Sequence, residues 1–302
     1  MPKVFLLILN WNKPLDTIEC IDSCLKLDYD NYEILLVDNH SEDDSVAQLK
    51  NRYPKIHLVV NSENLGYAGG NDVGLQYALK QNADFILILN NDTVLDPQML
   101  SLLVQAAKDH PKAGLLAPKV LYYDDPSLIN SLGTSMDWFR MRPYLGECHR
   151  KDTGNYDPIL HKDILVGCAL LVPKKTIERI GIIDEKFFLF HEEADWCFRS
   201  LRAGFENLVV PKAVIYHKAS KTMREFSSTT HYYSTRNFLY MARRNASFLN
   251  HIKMYFGLLY YVLKHIPMFF SKDMAKRKLA QAFFGGLQDY YSNRMGKCMK
   301  VF

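Results

Sequence analysis

The segment LNNDTVLDP (residues 89–97) sets two amides and a carboxylate, Asn90, Asn91 and Asp92, directly after the apolar run DFILI. Short polar residues after a buried strand can form a turn, because Asn and Asp tolerate the backbone angles that turns need. At the carboxyl end of a parallel strand the same residues can face a ligand. Three more apolar runs end in the same way. VFLLIL runs into Asn10-Trp11-Asn12, EILLVD into Asp38-Asn39, and IHLVV into residues 61–64, which include Asn61 and Asn64. Four polar strand ends on one edge suit a ligand rich in hydrogen-bonding groups. The segment NLGYAGGND (64–72) adds a glycine-rich approach to a helix but is neither G-x-G-x-x-G nor a Walker loop. Its glycines, Gly69 among them, permit either close helix packing or backbone contact with a sugar or diphosphate. A second acidic group, HEEADW (191–196), opens an amphipathic helix.

Positioning these groups requires alternating strands and helices. The runs 4–9, 33–38, 56–60 and 84–89 read as strands buried on both faces, with helical patterns between them. Pro14 suits a first helical turn, Ser41 an N-cap, and further helices are expected after Gly69-Gly70 and from Pro97. That order predicts an α/β protein with a mostly parallel sheet and right-handed crossovers. Residues 118–163 lack a period. A strand is expected in DILVGCALLVP, a helix in EEADWCFRSLRAG and a strand in LVVPKAVIYH, with helical, basic sequence from His231 onward.

The chain has 302 residues, 37 Lys plus Arg against 33 Asp plus Glu, and 48% hydrophobic residues. Such a chain can bury a large core unaided, and its small basic excess argues against general nucleic-acid binding. The six cysteines include no C-x-x-C pair and read as core residues. The opening MPKVFLLILNWN reads as a strand rather than a signal peptide, so a cytoplasmic location is expected. The longest apolar stretch, MYFGLLYYVL, is too short for a transmembrane helix.

Taken in order, ILNWNKP, LLVDNHSEDDS, NLGYAGGNDVG, LNNDTVLDP, the long segment from VGCALLVP to RSLRAGF, and VIYHKASKT resemble the family 2 glycosyltransferases, specifically the rhamnosyltransferase-like enzymes of bacterial surface polysaccharide synthesis. The resemblance covers about residues 3–245 and implies a GT-A fold with a Rossmann-like central sheet flanked by helices. It implies a glycosyltransferase domain over 1–230, divided into a nucleotide-sugar half (1–117) and an acceptor half (118–230), followed by a helical extension (231–302). The implied reaction is inverting transfer from a nucleoside-diphosphate sugar to a saccharide or lipid-linked acceptor.

The resemblance also assigns roles. Asp92 corresponds to the last acid of a D-x-D-type motif that binds Mn²⁺ or Mg²⁺, here reduced to N-N-D, and one carboxylate plus substrate phosphates can hold such a cation. Asp38 corresponds to a base- or ribose-contacting acid and can also cap the helix expected near Ser41, with Asn10 and Asn64 candidates for the same subsite and Asn91 and Gly69 for donor contacts. Glu193 stands where the family's base aspartate sits, with Glu192 its rival; acids favouring the helix dipole are the plainer reading, which Asp195 fits better. His217 would complete the metal site. His191 is a candidate acceptor contact or helix cap. Trp138, Arg140 and Arg142 are candidates for an acceptor sugar or lipid diphosphate, or ordinary loop contacts, and Arg236 for the donor phosphates or for helix packing. The aromatic and basic C-terminal region suits either the inner face of a membrane or homo-oligomer packing. A non-catalytic sugar-nucleotide-binding subunit, or less readily a sugar nucleotidyltransferase, remains an alternative.

Overall fold

The computed structural model describes residues 1–144, 146–154, 158–218 and 227–300. Strands β1 (Val4–Asn10), β2 (Tyr32–Asp38), β3 (His57–Val60) and β4 (Phe85–Asn90) form a parallel block in the order β4-β1-β2-β3. Their side chains alternate between two cores, as a sheet covered on both faces requires. Phe5, Leu7, Leu35 and Val37 enter one core, while Val4, Leu6, Ile8 and Leu36 enter the other. Helices α1 (Pro14–Cys24), α2 (Ser45–Arg52), α3 (Gly66–Lys80) and α4 (Met99–Asp109) connect and cover these strands. Helix α2 starts at Ser45 rather than near Ser41, because the Ser41 hydroxyl is committed to Asp38 at 2.6 Å.

A three-residue strand, β5 (Thr93–Leu95), follows β4 immediately. Beyond α4 come β6 (Ala113–Tyr122), β7 (Ile129–Ser131), a small hairpin of β8 (Met136–Asp137) and β9 (Arg142–Pro143), then β10 (Leu160–His161) and β11 (Ala169–Pro173). Helix α5 (Lys174–Ile180), helix α6 (Glu192–Arg202) and β12 (Glu206–His217) complete the α/β part. The full sheet has ten strands; β11 lies antiparallel between β4 and β6, and β12 parallel to β6. A division at residue 117 therefore falls inside β6, and both expected halves share one sheet.

Helices α7 (Ser228–Asn245), α8 (Phe248–Phe269) and α9 (Met274–Tyr291) form the C-terminal helical region and pack on the main core. Phe238 and Met241 of α7, Met254 and Leu258 of α8, and Phe283 of α9 enter the same core as Phe5 and Leu7. Gly74 illustrates how closely α3 packs on the sheet: a Cβ there would lie 2.1 Å from Leu7 Cδ1. The last part of the expected VIYHKASKT segment, from Ala219, lies outside the described residues.

Candidate active site

The parallel strands end together, which brings their polar residues into one continuous network. Asn10 Nδ2 donates to Asp38 Oδ2 at 2.7 Å, and Thr17 Oγ1 on α1 donates to Asn10 Oδ1 at 2.5 Å. Asn91 Nδ2 in turn donates to Thr17 Oγ1 at 2.9 Å, linking the end of β4 to that of β2. Asp38 is fully buried, and the Ser41 backbone N–H also donates to its Oδ1 at 2.8 Å. Its carboxylate organises this edge and caps the turn at Ser41. Asn64 Oδ1 accepts from Gly66 N–H and from Asn39 Nδ2, shaping the entry to α3.

The glycines of this entry serve packing. Gly66 has φ +73°, a region glycine occupies without strain. Its Cα faces Phe188, where a Cβ would meet the carbonyl oxygen at 2.3 Å. Gly69, expected among donor contacts, is buried against Leu65 and Glu185.

At the end of β4, β5 pairs antiparallel with the last residues of β12, matching Thr93 with His217. This pairing puts His217 Nε2 3.2 Å from Asp92 Oδ1. His217 Nδ1 lies 3.4 Å from Asn130 Oδ1 on β7. An N–H at Nδ1 donated to Asn130 leaves the Nε2 lone pair turned toward Asp92. A hard carboxylate oxygen and an imidazole nitrogen form a donor set that fits Mn²⁺, with diphosphate oxygens and water supplying further ligands. Among the described residues no group of three His, Cys, Asp or Glu side chains could hold a metal. A cation here therefore depends on the substrate for much of its coordination.

The acidic pair is tied to this edge through the turn before β11. Cys168 O accepts from Asn90 N–H at 2.9 Å, and Gly167 O accepts from Tyr67 Oη at 2.7 Å. A Cβ on Gly167 would lie 3.6 Å from Glu193 Cβ, so the Glu193 side chain runs along this turn. Burial pushes the Tyr67 phenol well up, and the charges of Glu192, Glu193 and Asp92 push the same way.

Burial raises the carboxyl of Glu192 well above its ordinary value, and the charge of Glu193 adds to it; burial also raises Glu193. Glu192 is the more enclosed, at 4% exposure, while Glu193 is partly exposed. Glu192 Oε2, Glu193 Oε2 and Asn90 Oδ1 are buried acceptors with no hydrogen-bond donor among the described residues. Such orphaned acceptors suit a ligand bearing hydroxyl groups.

The backbone leading into the acids is unusual. Phe188, Phe190 and His191 all have positive φ (64°, 70° and 68°), an uncommon conformation for residues other than glycine. Helix α7 holds them there. Asn237 Nδ2 lies 2.8, 2.7 and 3.0 Å from the carbonyls of Phe187, Leu189 and Phe190. Arg236 is buried, donates to Phe187 O at 3.1 Å and lies over the Tyr232 and Tyr233 rings. These contacts fit the helix-packing alternative for Arg236. Replacing Asn237 by Ala is expected to lower stability by about 1–3 kcal/mol, since buried carbonyls lose their donor. Chemical denaturation measures that loss, and turnover should fall with it because the loop presents Glu192 and Glu193.

His191 occupies the N-cap position of α6 without a side-chain capping bond, and its ring meets Phe238 edge-on at 5.7 Å. Burial brings its pKa down to about 4, so it is neutral at physiological pH. Trp138 is half-buried against Phe198 and Phe238, with centroids 5.4 and 6.0 Å away. Trp138 and His191 thus flank one phenylalanine beside the acidic helix. Arg140 and Arg142 line a separate concavity with Tyr144 on the β8–β9 hairpin. Asp195, as expected, is structural: it is fully buried and receives Arg199 Nε at 2.8 Å and Asn245 Nδ2 at 2.8 Å.

An open α/β sheet with carboxylates gathered at the carboxyl ends of its strands defines a ligand-binding enzyme domain. The chain belongs to the family 2 glycosyltransferases: the Glycosyl transferase family 2 model matches residues 6–170. Among curated relatives, it is 27% identical over 234 residues to the N-acetylglucosaminyl-diphospho-decaprenol L-rhamnosyltransferase of Mycobacterium tuberculosis, covering 70% of this chain and 75% of that protein. It is 20% identical over 253 residues to the dTDP-rhamnosyl transferase RfbF of Shigella flexneri, covering 80% of each. Among solved structures, GalNAc-T7 with UDP, GalNAc and Mn²⁺ superposes with a TM-score of 0.69 at 14% identity, covering 97% of this chain and 57% of that one. That likeness establishes the shared GT-A fold.

Proposed function

We propose that the chain carries out divalent-metal-dependent, inverting sugar transfer from a nucleoside diphosphate to a hydroxyl of a glycan or lipid-linked acceptor in surface polysaccharide synthesis. The dTDP-rhamnose class is the first donor to test, because the named relatives use rhamnosyl groups. The observation that carries the reading is the Asp92–His217 pair, joined through the Gly167–Cys168 turn to the acids of α6.

Asp92 and His217 would hold Mn²⁺ or Mg²⁺, which when bound offsets negative charge on the donor diphosphate. The acceptor hydroxyl attacks the anomeric carbon as the bond from that carbon to the diphosphate oxygen breaks. Glu193 takes the proton that the hydroxyl loses. Glu192, which burial and the charge of Glu193 push toward its neutral form, can donate to a sugar oxygen. Asn90 Oδ1 accepts from a sugar hydroxyl. Neutral His191 and Trp138 border the acceptor side.

Thermal denaturation with UDP-, GDP- and dTDP-sugars, each with and without Mn²⁺, tests the reading, since a ligand that binds the folded state raises the melting temperature. Metal-dependent stabilisation by one nucleotide class is expected; no shift with any donor would oppose it. Asn130 should matter through His217. Asn130→Ala is expected to weaken Mn²⁺-dependent donor binding by about tenfold to a hundredfold, as loss of the group orienting a histidine ligand does. Titration of Mn²⁺ at fixed donor measures this.

A further inference from the structure

Helix α8 is apolar on the side that faces away from the protein. Its inner side packs through Met254, Leu258 and His265, and Gly257 lets the Phe139 carbonyl approach so closely that a Cβ would lie 1.9 Å from its oxygen. On the opposite side, Phe248, Ile252, Phe256, Leu259, Leu263 and Ile266 form one exposed stripe. Their spacing of three and four residues keeps them in line along the helix. Phe256 is 64% exposed and Leu263 60%, values foreign to a helix whose apolar side is already used. A contiguous exposed apolar surface of this length marks an interaction site. Among the described residues no helix is long and apolar enough to cross a membrane.

Charge selects the partner. From residue 246 to 288 the only acid is Asp273, against Lys253, Lys264, Lys272, Lys276, Arg277 and Lys278. Asp273 is occupied as the N-cap of α9, its side chain accepting from Ala275 N–H. Lys253 and Lys264 are exposed and lie about a quarter turn from the apolar stripe at 100° per residue. Lys272, Lys276 and Lys278 are exposed at the corner between α8 and α9. A two-fold dimer through this face would set it against its own copy, with lysines on both sides and no acids to answer them. An anionic lipid surface satisfies both features, taking the stripe into its acyl boundary and the lysines among its headgroups.

We propose that α8 lies along an anionic membrane surface with its Phe256–Leu263 side embedded. The β8–β9 hairpin packs along the flank of α8: the Phe139 ring meets Tyr260 in a tilted contact at 6.4 Å, and Tyr261 Oη donates to Arg140 O at 3.2 Å. Trp138, adjacent in sequence, leads from there to Phe198 of the acidic helix. The hairpin therefore links α8 to the acidic helix.

Co-sedimentation of the full chain with sucrose-loaded vesicles tests this, using phosphatidylcholine alone and phosphatidylcholine mixed with phosphatidylglycerol. The wild type is expected to pellet with the anionic vesicles, weakly with the neutral ones, and less at high salt. Phe256→Glu/Leu263→Glu should abolish pelleting, and Lys253→Glu/Lys264→Glu should reduce partitioning by about tenfold or more. The lysine variant alters only exposed side chains, so it keeps the test decisive if the first variant folds poorly. Both should remain monomeric by light scattering and keep Mn²⁺-dependent donor binding, which separates this inference from the catalytic reading. Failure of the wild type to pellet, equal binding to neutral vesicles, or a dimer that Phe256→Glu/Leu263→Glu dissociates would overturn it.

Discussion

Asp92→Ala is expected to lower turnover by about a hundredfold or more while the protein stays folded, because charge stabilisation by a bound cation contributes several kcal/mol to such a reaction. The same variant should lose the metal dependence of donor binding: Mn²⁺ would no longer raise the melting temperature beyond what the donor achieves alone. His217 has one neighbour in Asn130 and another in Asp92, so it cannot replace the lost carboxylate. A variant whose turnover and metal response match the wild type would remove Asp92 from the mechanism and revive the reading of LNNDTVLDP as a turn.

Glu193→Gln should lower kcat by about a hundredfold to ten-thousandfold, the usual contribution of a positioned general base, with little change in donor affinity. Glu192→Gln should cost less, because Gln keeps hydrogen-bonding groups at a side chain that burial already pushes toward its neutral form. Stability separates the pair from ordinary surface acids. Burial raises both folded-state pKa values above the ordinary 4.5. Their favourable contribution is therefore complete below that value and lost as pH rises through the folded pKa. Each Gln variant should be more stable than the wild type at neutral and alkaline pH, with the difference vanishing near pH 4. The acid limb of the kcat/KM profile should likewise stand above the ordinary carboxylate range. Urea denaturation across pH checks the first statement, and steady-state kinetics the second. Loss of activity joined to a gain in stability is the mark of a group kept at a local energetic disadvantage for its chemistry.

The strands that carry the site were legible because each is a short run of large apolar residues, and a sheet covered on both faces demands just that. Their polar ends were legible by contrast, as was the acidic start of α6. Other features depend on contacts that leave no local trace. β5 is only three residues long, too short for any period, yet its pairing with β12 is what brings His217 to Asp92. Tyr67 sits inside NLGYAGGND, where nothing local marks it. Its hydrogen bond to Gly167 O, a hundred residues on, is tertiary. Arg236 is open in the sequence between donor phosphates and helix packing, and Asn237 carries no local signal. Only the fold shows that they grip carbonyls of a strained loop 47 to 50 residues earlier in the chain. The C-terminal helices were legible as helical and basic, but the packing of one side of each into the main core was not.

The most direct test of the central claim is nucleoside diphosphate release from dTDP-rhamnose, UDP-sugars and GDP-sugars by the wild type, with Mn²⁺ and with EDTA, in the presence of a lipid-linked saccharide acceptor. Release from one donor class, abolished by EDTA and yielding a product of inverted anomeric configuration by NMR, is the predicted result. Release undiminished by EDTA, or a product of retained configuration, would contradict the account.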